Sequence, residues 1–459
     1  MTKTAHLRTN DRNPTATLAG QASVGPRSIG ANAPSQGYAD VDHVVIIDDY
    51  TTARGGATGL ALLSARLLRQ RGYAVTYVCG DHGDNAALTD MGVRVVALGS
   101  LDLLNSTKAN AVIAGIHNHA AARLLGDWIA RNDTEGTIYH VHGWSKILSP
   151  AVFQALADVA GRCLVHAHDF FTACPNGAFY DYQQHRVCDR RPLSGSCLAT
   201  ACDKRNYGHK LWRAARGYNL FQQLRQRRQF GRIILLHEAM RPFFIKSGYG
   251  AERLRIIRNP TTALSRQRVP AEANSAFAFI GRLDEEKGIA EAVAATARAG
   301  VDLLVIGDGP QRPLIEGQAH VRMLGWLSHD RIGEAIQGAR ALIMPSRYPE
   351  PFGMVALEAA SSGLPVILSH TAFLAREMVD GGYALRCDVA DPDAFAAVIR
   401  SMADMPAGAV EIMSRSAFAL APALSHDQHS WCAALVAEYR QLIATSPLAA
   451  TTSPKRIAT

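Results

Sequence analysis

Two glutamates, Glu350 and Glu358, bracket the stretch of this chain best suited to chemistry, with Pro351, Phe352, Gly353, Met354 and Val355 between them. Glu350 lies among Pro345, Pro349 and Pro351, and each proline fixes φ and removes a donor, so this part is a loop. The apolar run Ala341, Leu342, Ile343, Met344 predicts a buried strand before it. Helix-friendly residues follow from Gly353, and Gly363 with Pro365 ends them. The helix N-terminus then points above the strand, where unpaired amides and the helix dipole favour an anion. At 1.5 Å rise per residue the two carboxylates stand on the order of 10 Å apart. That is too far for a pair acting on one glycosidic bond, as in most glycosidases. It suits two acceptors gripping different hydroxyl-bearing ends of one extended ligand, with the amides of Phe352, Gly353, Met354 and Val355 on an anion between them. A capped helix with two surface acids is the plainer alternative.

Two cations belong with this stretch. The predicted strand 277–280 ends at Gly281-Arg282, and Lys287-Gly288 precedes a helix from Ile289. Arg282 and Lys287 therefore both reach the crevice floor near the Glu350 loop. One forked and one point-like cation suit a diphosphate leaving group and could replace a divalent metal, so no cofactor is required. Their alternative is ion pairing with Glu285 or Glu286.

The elements that must position these groups alternate. Residues 42–48 read as a buried strand, Gly55-Gly56 as a Gly-rich turn, 59–72 as an apolar-periodic helix and 74–78 as the next strand. That order is a right-handed crossover unit, and Gly55 and Gly56 would let backbone approach a ligand closely. Further strands are predicted at 93–98, 137–142, 163–169, 233–236 and 254–260, then at 303–306 in a second domain. His168-Asp169 falls at a strand C-terminus, where ligands bind in open α/β sheets. His140, His142 and His166 read as structural. An amphipathic helix is predicted over 431–443.

Glu-x7-Glu around Glu-Pro-Phe-Gly resembles the signature of retaining family-4 glycosyltransferases of the GT-B fold. Gly281-Arg282-Leu283-Asp284-Glu285-Glu286-Lys287-Gly288, Ile306-Gly307-Asp308-Gly309-Pro310 and Gly363-Leu364-Pro365-Val366-Ile367 follow in the family's order. The resemblance is strong over 275–425 and traceable over 41–265. It implies two Rossmann-like domains facing across a cleft: 38–265 for the acceptor, 266–425 for a nucleotide-diphosphate sugar, and a helix at 426–445 crossing back. It further implies that Glu350 contacts the donor sugar, Glu358 the ribose, and His168 lies beside the sugar. Where relatives have a Gly-rich turn and Pro-Glu, this chain reads Ser369 to Glu377, which leaves the role of Glu377 open. A sugar-nucleotide 2-epimerase shares the fold and is the rival reading.

At 459 residues, 48% hydrophobic and 19% charged, the chain is long enough for two globular domains. No apolar run is long enough for a spanning helix. Residues 1–37 lack an apolar core and read as a tail rather than a secretory signal, as do 446–459. Eight cysteines make no disulfide scaffold, and a reduced cytoplasmic setting is expected. Four of them, Cys174, Cys188, Cys197 and Cys202, lie close enough in sequence to suggest a zinc site, although no Cys-x2-Cys knuckle is present.

The net charge is +8, and much of the excess is local. Residues 204–232 carry nine Lys and Arg without one Asp or Glu, interleaved with Trp212, Tyr218, Phe221 and Phe230. That pattern suits an anionic membrane surface, which would place a glycan or lipid-linked acceptor near the first domain. Single-stranded nucleic acid is the weaker reading, because nothing near the glutamate pair calls for it, and no nucleic-acid partner is expected.

Overall fold

The computed structural model describes residues 40–53, 55–226 and 230–445. The expected tails, Arg54, Arg227 and Arg228 lie outside the described residues. Two parallel sheets organise the rest. The first contains β1 (His43–Asp48), β2 (Ala74–Cys79), β3 (Arg94–Ala97), β4 (Thr137–Val141), β5 (Cys163–Ala167), β8 (Arg232–Leu235) and β9 (Leu254–Ile256), in the order β3-β2-β1-β4-β5-β8-β9. A small antiparallel hairpin, β6 (Tyr180–Asp181) with β7 (Arg186–Val187), stands apart between β5 and β8. The second sheet contains β10 (Ala276–Ile280), β11 (Leu303–Ile306), β12 (Val321–Gly325), β13 (Ala339–Met344), β14 (Val366–Ser369) and β15 (Ala384–Cys387), in the order β12-β11-β10-β13-β14-β15. Strands buried on both faces read as unbroken apolar runs; Val44, Val45, Ile46 and Ile47 are each 0% exposed.

Both sheets reverse their strand order once, between β1 and β4 and between β10 and β13. Crevices open at such switch points, beyond the strand C-termini. The loops after β1, β10 and β13 hold Gly55, Arg282 and Glu350, so connectivity brings the candidate residues to the two crevices.

Several bounds differ from the sequence reading. The first helix starts at Gly56 and ends at Gln70, because Leu60, Ala61, Ala65, Leu67 and Leu68 form its buried stripe. β5 stops at Ala167, so His168 and Asp169 belong to the loop that follows. β9 ends at Ile256. The last helix runs over Gln428–Thr445, and its Trp431, Leu435, Tyr439 and Leu442 share a core with Val44, Ile46, Leu67 and Ile138 of the first sheet's layer. No helix among the described residues is long and apolar enough to cross a membrane.

The basic stretch needs the largest correction. In the helix Tyr207–Phe221, Lys210 is 0% and Arg216 7% exposed, while Phe221 and Phe230 are buried. Arg213 pairs with Asp203 at 3.0 Å, just outside the acid-free stretch. Much of the basic and aromatic content therefore faces inward. The exposed apolar groups here are Tyr207, Leu211 and Tyr218, joined by Leu101, Leu104, Val112 and Ile113. The indole N–H of Trp212 donates to the carbonyl of Val112 at 2.9 Å and ties the two parts together.

Candidate active site

Neighbouring strands β10 and β13 launch their loops side by side. Gly288 has φ 73°, and a Cβ there would stand 2.1 Å from the carbonyl oxygen of Pro345. Only glycine permits that conformation and that approach. It brings Lys287 onto the Glu350 loop. Lys287 Nζ donates to Glu350 Oε2 at 2.7 Å and to the Tyr348 hydroxyl at 3.0 Å. Ser346 Oγ donates to the same Glu350 oxygen at 2.8 Å. Burial works against both charges, but each outweighs it for the other: the Lys287 amine is held above its ordinary range and the Glu350 carboxyl below it. An ammonium has three protons, so Lys287 keeps one for a ligand.

Arg282 does not share these contacts. Its side chain is 66% exposed and pairs with Asp284. The acids offered as alternative partners are engaged elsewhere, Glu285 with Arg347 at 3.2 Å and Glu286 with Lys204 at 3.5 Å. Arg282 thus faces solvent beside Asp284 while Lys287 is tied to Glu350, a correction to the pair drawn from sequence.

Gly353 has φ 66°, the left-handed turn that lets the chain enter the helix Met354–Ala360. Phe352 is 3% exposed and anchors the turn from below. Val355 is partly buried against the second sheet's core. Met354 and Glu358 instead line a cleft of about 330 Å³ with Gly56, Gly59, Leu63, Thr262 and His329. Burial pushes the Glu358 carboxyl up to about 7. The cleft unites Gly56 from the first crossover unit with Glu358 from the second domain. Gly55 does not line it; its φ of 171° is extended backbone open to any residue, and space beside it is free. Thr262 and His329 were not singled out in the sequence, because neither lies in a recognisable motif.

His168 belongs to a buried stack. Its Nε2 is 3.0 Å from His142 Nδ1, and its ring lies 4.3 Å from that of His166. His166 Nδ1 is 3.3 Å from His140 Nε2, and His140 Nδ1 is 2.7 Å from the Tyr439 hydroxyl. Burial lowers all four imidazoles, His168 to about 3. Neutral rings each offer one donor and one acceptor, so the stack can hold His168 in place without charge.

The four clustered thiols do not gather as a ligand set. Among the described residues, the group whose ligand atoms all lie within 4.8 Å of one another is His140, His142 and His166; His140 bonds His166 and Tyr439, and His142 bonds His168. Cys174 Sγ bonds Asn176 Oδ1 at 3.2 Å, Cys188 takes Arg190 at 3.8 Å, and Cys197 and Cys202 both receive Lys210. The zinc expectation is not carried by this geometry.

Residues 261–417 match the family described as glycosyl transferases group 1. Glycogen synthase of Mycobacterium tuberculosis (strain CDC 1551 / Oshkosh) is 33% identical over 177 residues, which is 35% of this chain and 42% of that protein. The chain thus spans less than half the length of this curated relative. Among solved structures, sucrose-phosphate synthase from Thermosynechococcus elongatus superposes over 88% of this chain and 100% of its own, with TM-score 0.65 and 19% identity. Anabaena HepE, solved in complex with UDP and glucose, covers 86% of this chain and 98% of its own, with TM-score 0.59 and 17% identity. The likeness to the group 1 glycosyltransferases is thus confined to residues 261–417, and the chain's two-sheet architecture is the GT-B fold.

Proposed function

We propose that the protein transfers a glycosyl group from a nucleotide-diphosphate sugar to a glycan or lipid-linked acceptor, with retention of configuration, in cell-envelope or exopolysaccharide synthesis. The observation that carries this reading is the Lys287–Glu350 pair at the switch point of the second sheet, adjoining the cleft that holds Glu358. Glu358 accepts the ribose hydroxyls, and Glu350 accepts a hydroxyl of the donor sugar. Lys287 and the solvent-facing Arg282 meet the charge that develops on the departing diphosphate, with the amides of Phe352 to Val355 beside them. Fixed cations aimed where charge develops lower the barrier. His168 contacts the sugar as a neutral group. The leaving phosphate takes the acceptor proton in a front-face displacement, with no enzyme nucleophile.

HepE was solved with UDP and glucose, so UDP-glucose is the first donor to try. A thermal-shift screen of UDP, GDP and ADP sugars finds the donor, because a ligand of the native state raises apparent stability. NMR of the product then reads the anomer. An inverted product ends the retention claim, and interconversion of donor epimers without acceptor favours the 2-epimerase. We place the enzyme in the cytoplasm, peripheral to the membrane, with the exposed Leu104, Val112, Ile113 and Tyr218 toward the lipid.

A further inference from the structure

Between β5 and β8 the chain folds two cysteines onto one lysine. Cys197 lies in the short helix Gly195–Ala199. Tight turns follow: Thr200 N–H donates to the carbonyl of Cys197 at 3.3 Å, and Cys202 N–H to that of Thr200 at 3.0 Å. The chain thereby doubles back, and Cys202 faces the same interior point as Cys197. Lys210 Nζ occupies that point, 3.3 Å from Cys197 Sγ and 3.2 Å from Cys202 Sγ. Asn176 Nδ2 approaches Cys202 Sγ at 3.6 Å from another side.

Lys210 is 0% exposed, and the thiols are 6% and 4% exposed. Thiol sulfur is a weak acceptor, so two thiols are a poor match for a buried amine that needs strong partners. Both cysteines have exposed sequence neighbours, Ser196 and Leu198 about Cys197 and Ala201 before Cys202. Both are held on the tip of one side chain, within about twice one N–H···S length of each other.

We infer that Cys197 and Cys202 are a reversible oxidation site, which peroxide closes to an intramolecular disulfide while Lys210 positions both sulfurs. One sulfur attacks a peroxide oxygen; the O–O bond breaks, the sulfur becomes a sulfenic acid, and water leaves. The second sulfur attacks the first, the S–O bond breaks, and the hydroxyl departs as a second water. Two thiols and one peroxide give one disulfide and two waters. Sulfenic acid captured by a nearby thiol is the reversible branch of cysteine oxidation; burial holds the Cys202 thiol above its ordinary range, and the Lys210 ammonium works against that. Lys204, two residues past Cys202, pairs with Glu286 beside Lys287, which ties this site to the loop of the candidate active site.

The test uses the full chain, hydrogen peroxide as probe, denaturing alkylation and peptide mass mapping; it reads no transferase activity. The expected result is loss of two alkylatable thiols, a Cys197–Cys202 linked peptide lighter by two hydrogens, and reversal by dithiothreitol. Cys197→Ser should leave a sulfenic acid at Cys202 that dimedone traps. Lys210→Met should slow closure about tenfold; if that variant does not fold, the wild-type map and the Cys197→Ser trap still decide. The proposal is overturned if both thiols stay free, if a stoichiometric zinc protects them, if oxidation links Lys210 itself, or if the disulfide involves Cys174 or Cys188.

Discussion

Lys287 Nζ and Glu350 Oε2 lie 2.7 Å apart although 63 positions separate them in the chain. Among the described residues each is the other's one charged partner, beside the hydroxyls of Tyr348 and Ser346, so the pair serves stability and ligand geometry together. Lys287→Ala and Glu350→Ala should each slow transfer by orders of magnitude. Urea denaturation of the two single variants and the double should reveal a coupling of about 0.5–3 kcal/mol. Additive losses would mean that the contact contributes nothing in solution.

Arg282 should behave differently. Its side chain is 66% exposed, so Arg282→Ala should leave the denaturation midpoint unchanged while slowing turnover by orders of magnitude. Combined with Lys287→Ala it should cost less than the product of the two, because groups acting on one diphosphate are not additive. EDTA should leave wild-type transfer intact. Steady-state kinetics on the three variants checks this, and near-normal turnover in the single Arg282 variant would refute the clamp.

Glu358 predicts two opposite pH trends. Its carboxyl is raised to about 7 in the fold, against about 4.3 in an unfolded chain. Between those values the folded state holds the proton and the unfolded state does not, so stability contributed by this group falls as pH rises across the window and levels above it. Glu358→Gln should flatten that decline in denaturation midpoints. Nucleotide affinity should instead rise as pH passes about 7, since the ionised carboxylate accepts ribose hydroxyls better. Calorimetry on Glu358→Ala checks the assignment: unchanged nucleotide affinity would sink it.

Glu377 acquires a role that the sequence left open. It accepts from His237 Nε2 at 2.7 Å and from both terminal nitrogens of Arg258 at 2.8 Å. Burial opposes its charge, but the bonds from Arg258 and His237 outweigh it and hold the carboxyl low. Its contribution is therefore present above the unfolded carboxyl range and lost as pH falls through the lowered value. Glu377→Gln should lower stability by about 1–3 kcal/mol, more at neutral than at acid pH, in chemical denaturation.

Vesicle sedimentation addresses the surface of the first domain. Binding to anionic vesicles should fall with salt and should drop when Leu104 and Ile113 become Ser, because these side chains are 71% and 66% exposed. Indifference of the wild type to anionic vesicles at low salt would overturn the membrane placement and favour a soluble acceptor.

Strand, loop and helix around Glu350 were legible because prolines, glycines and apolar runs act locally, and the fixed family order supplied the partner loop. The nearness of Lys287 to the Glu350 loop followed from that order, but the direct bond between the two side chains did not. The Arg282–Asp284 pairing was not legible, since adjacent acids compete on equal terms in a sequence. Lys210 and Arg216 were misread for a related reason: periodicity marks where a charge sits on a helix, but burial depends on partners that arrive from outside it, Cys197 and Cys202 for Lys210 and Ser145 and Trp144 for Arg216. The joining of His168 to three other histidines depends on β4 lying beside β5, a pairing that no local pattern encodes.

The helix Gln428–Thr445 has a consequence for how the protein is made. Its Trp431, Leu435 and Tyr439 complete the core beside Val44 and Ile46, and the Tyr439 hydroxyl closes on His140. Synthesis runs from the other direction, so the first sheet leaves the ribosome long before the residues that cover it. Until residue 445 has emerged, one flank of that sheet waits with apolar side chains uncovered, and a chain halted near residue 420 would be a substrate for chaperones and proteases rather than a finished first half. The two halves are consecutive in sequence, but the first is completed by the last helix of the chain.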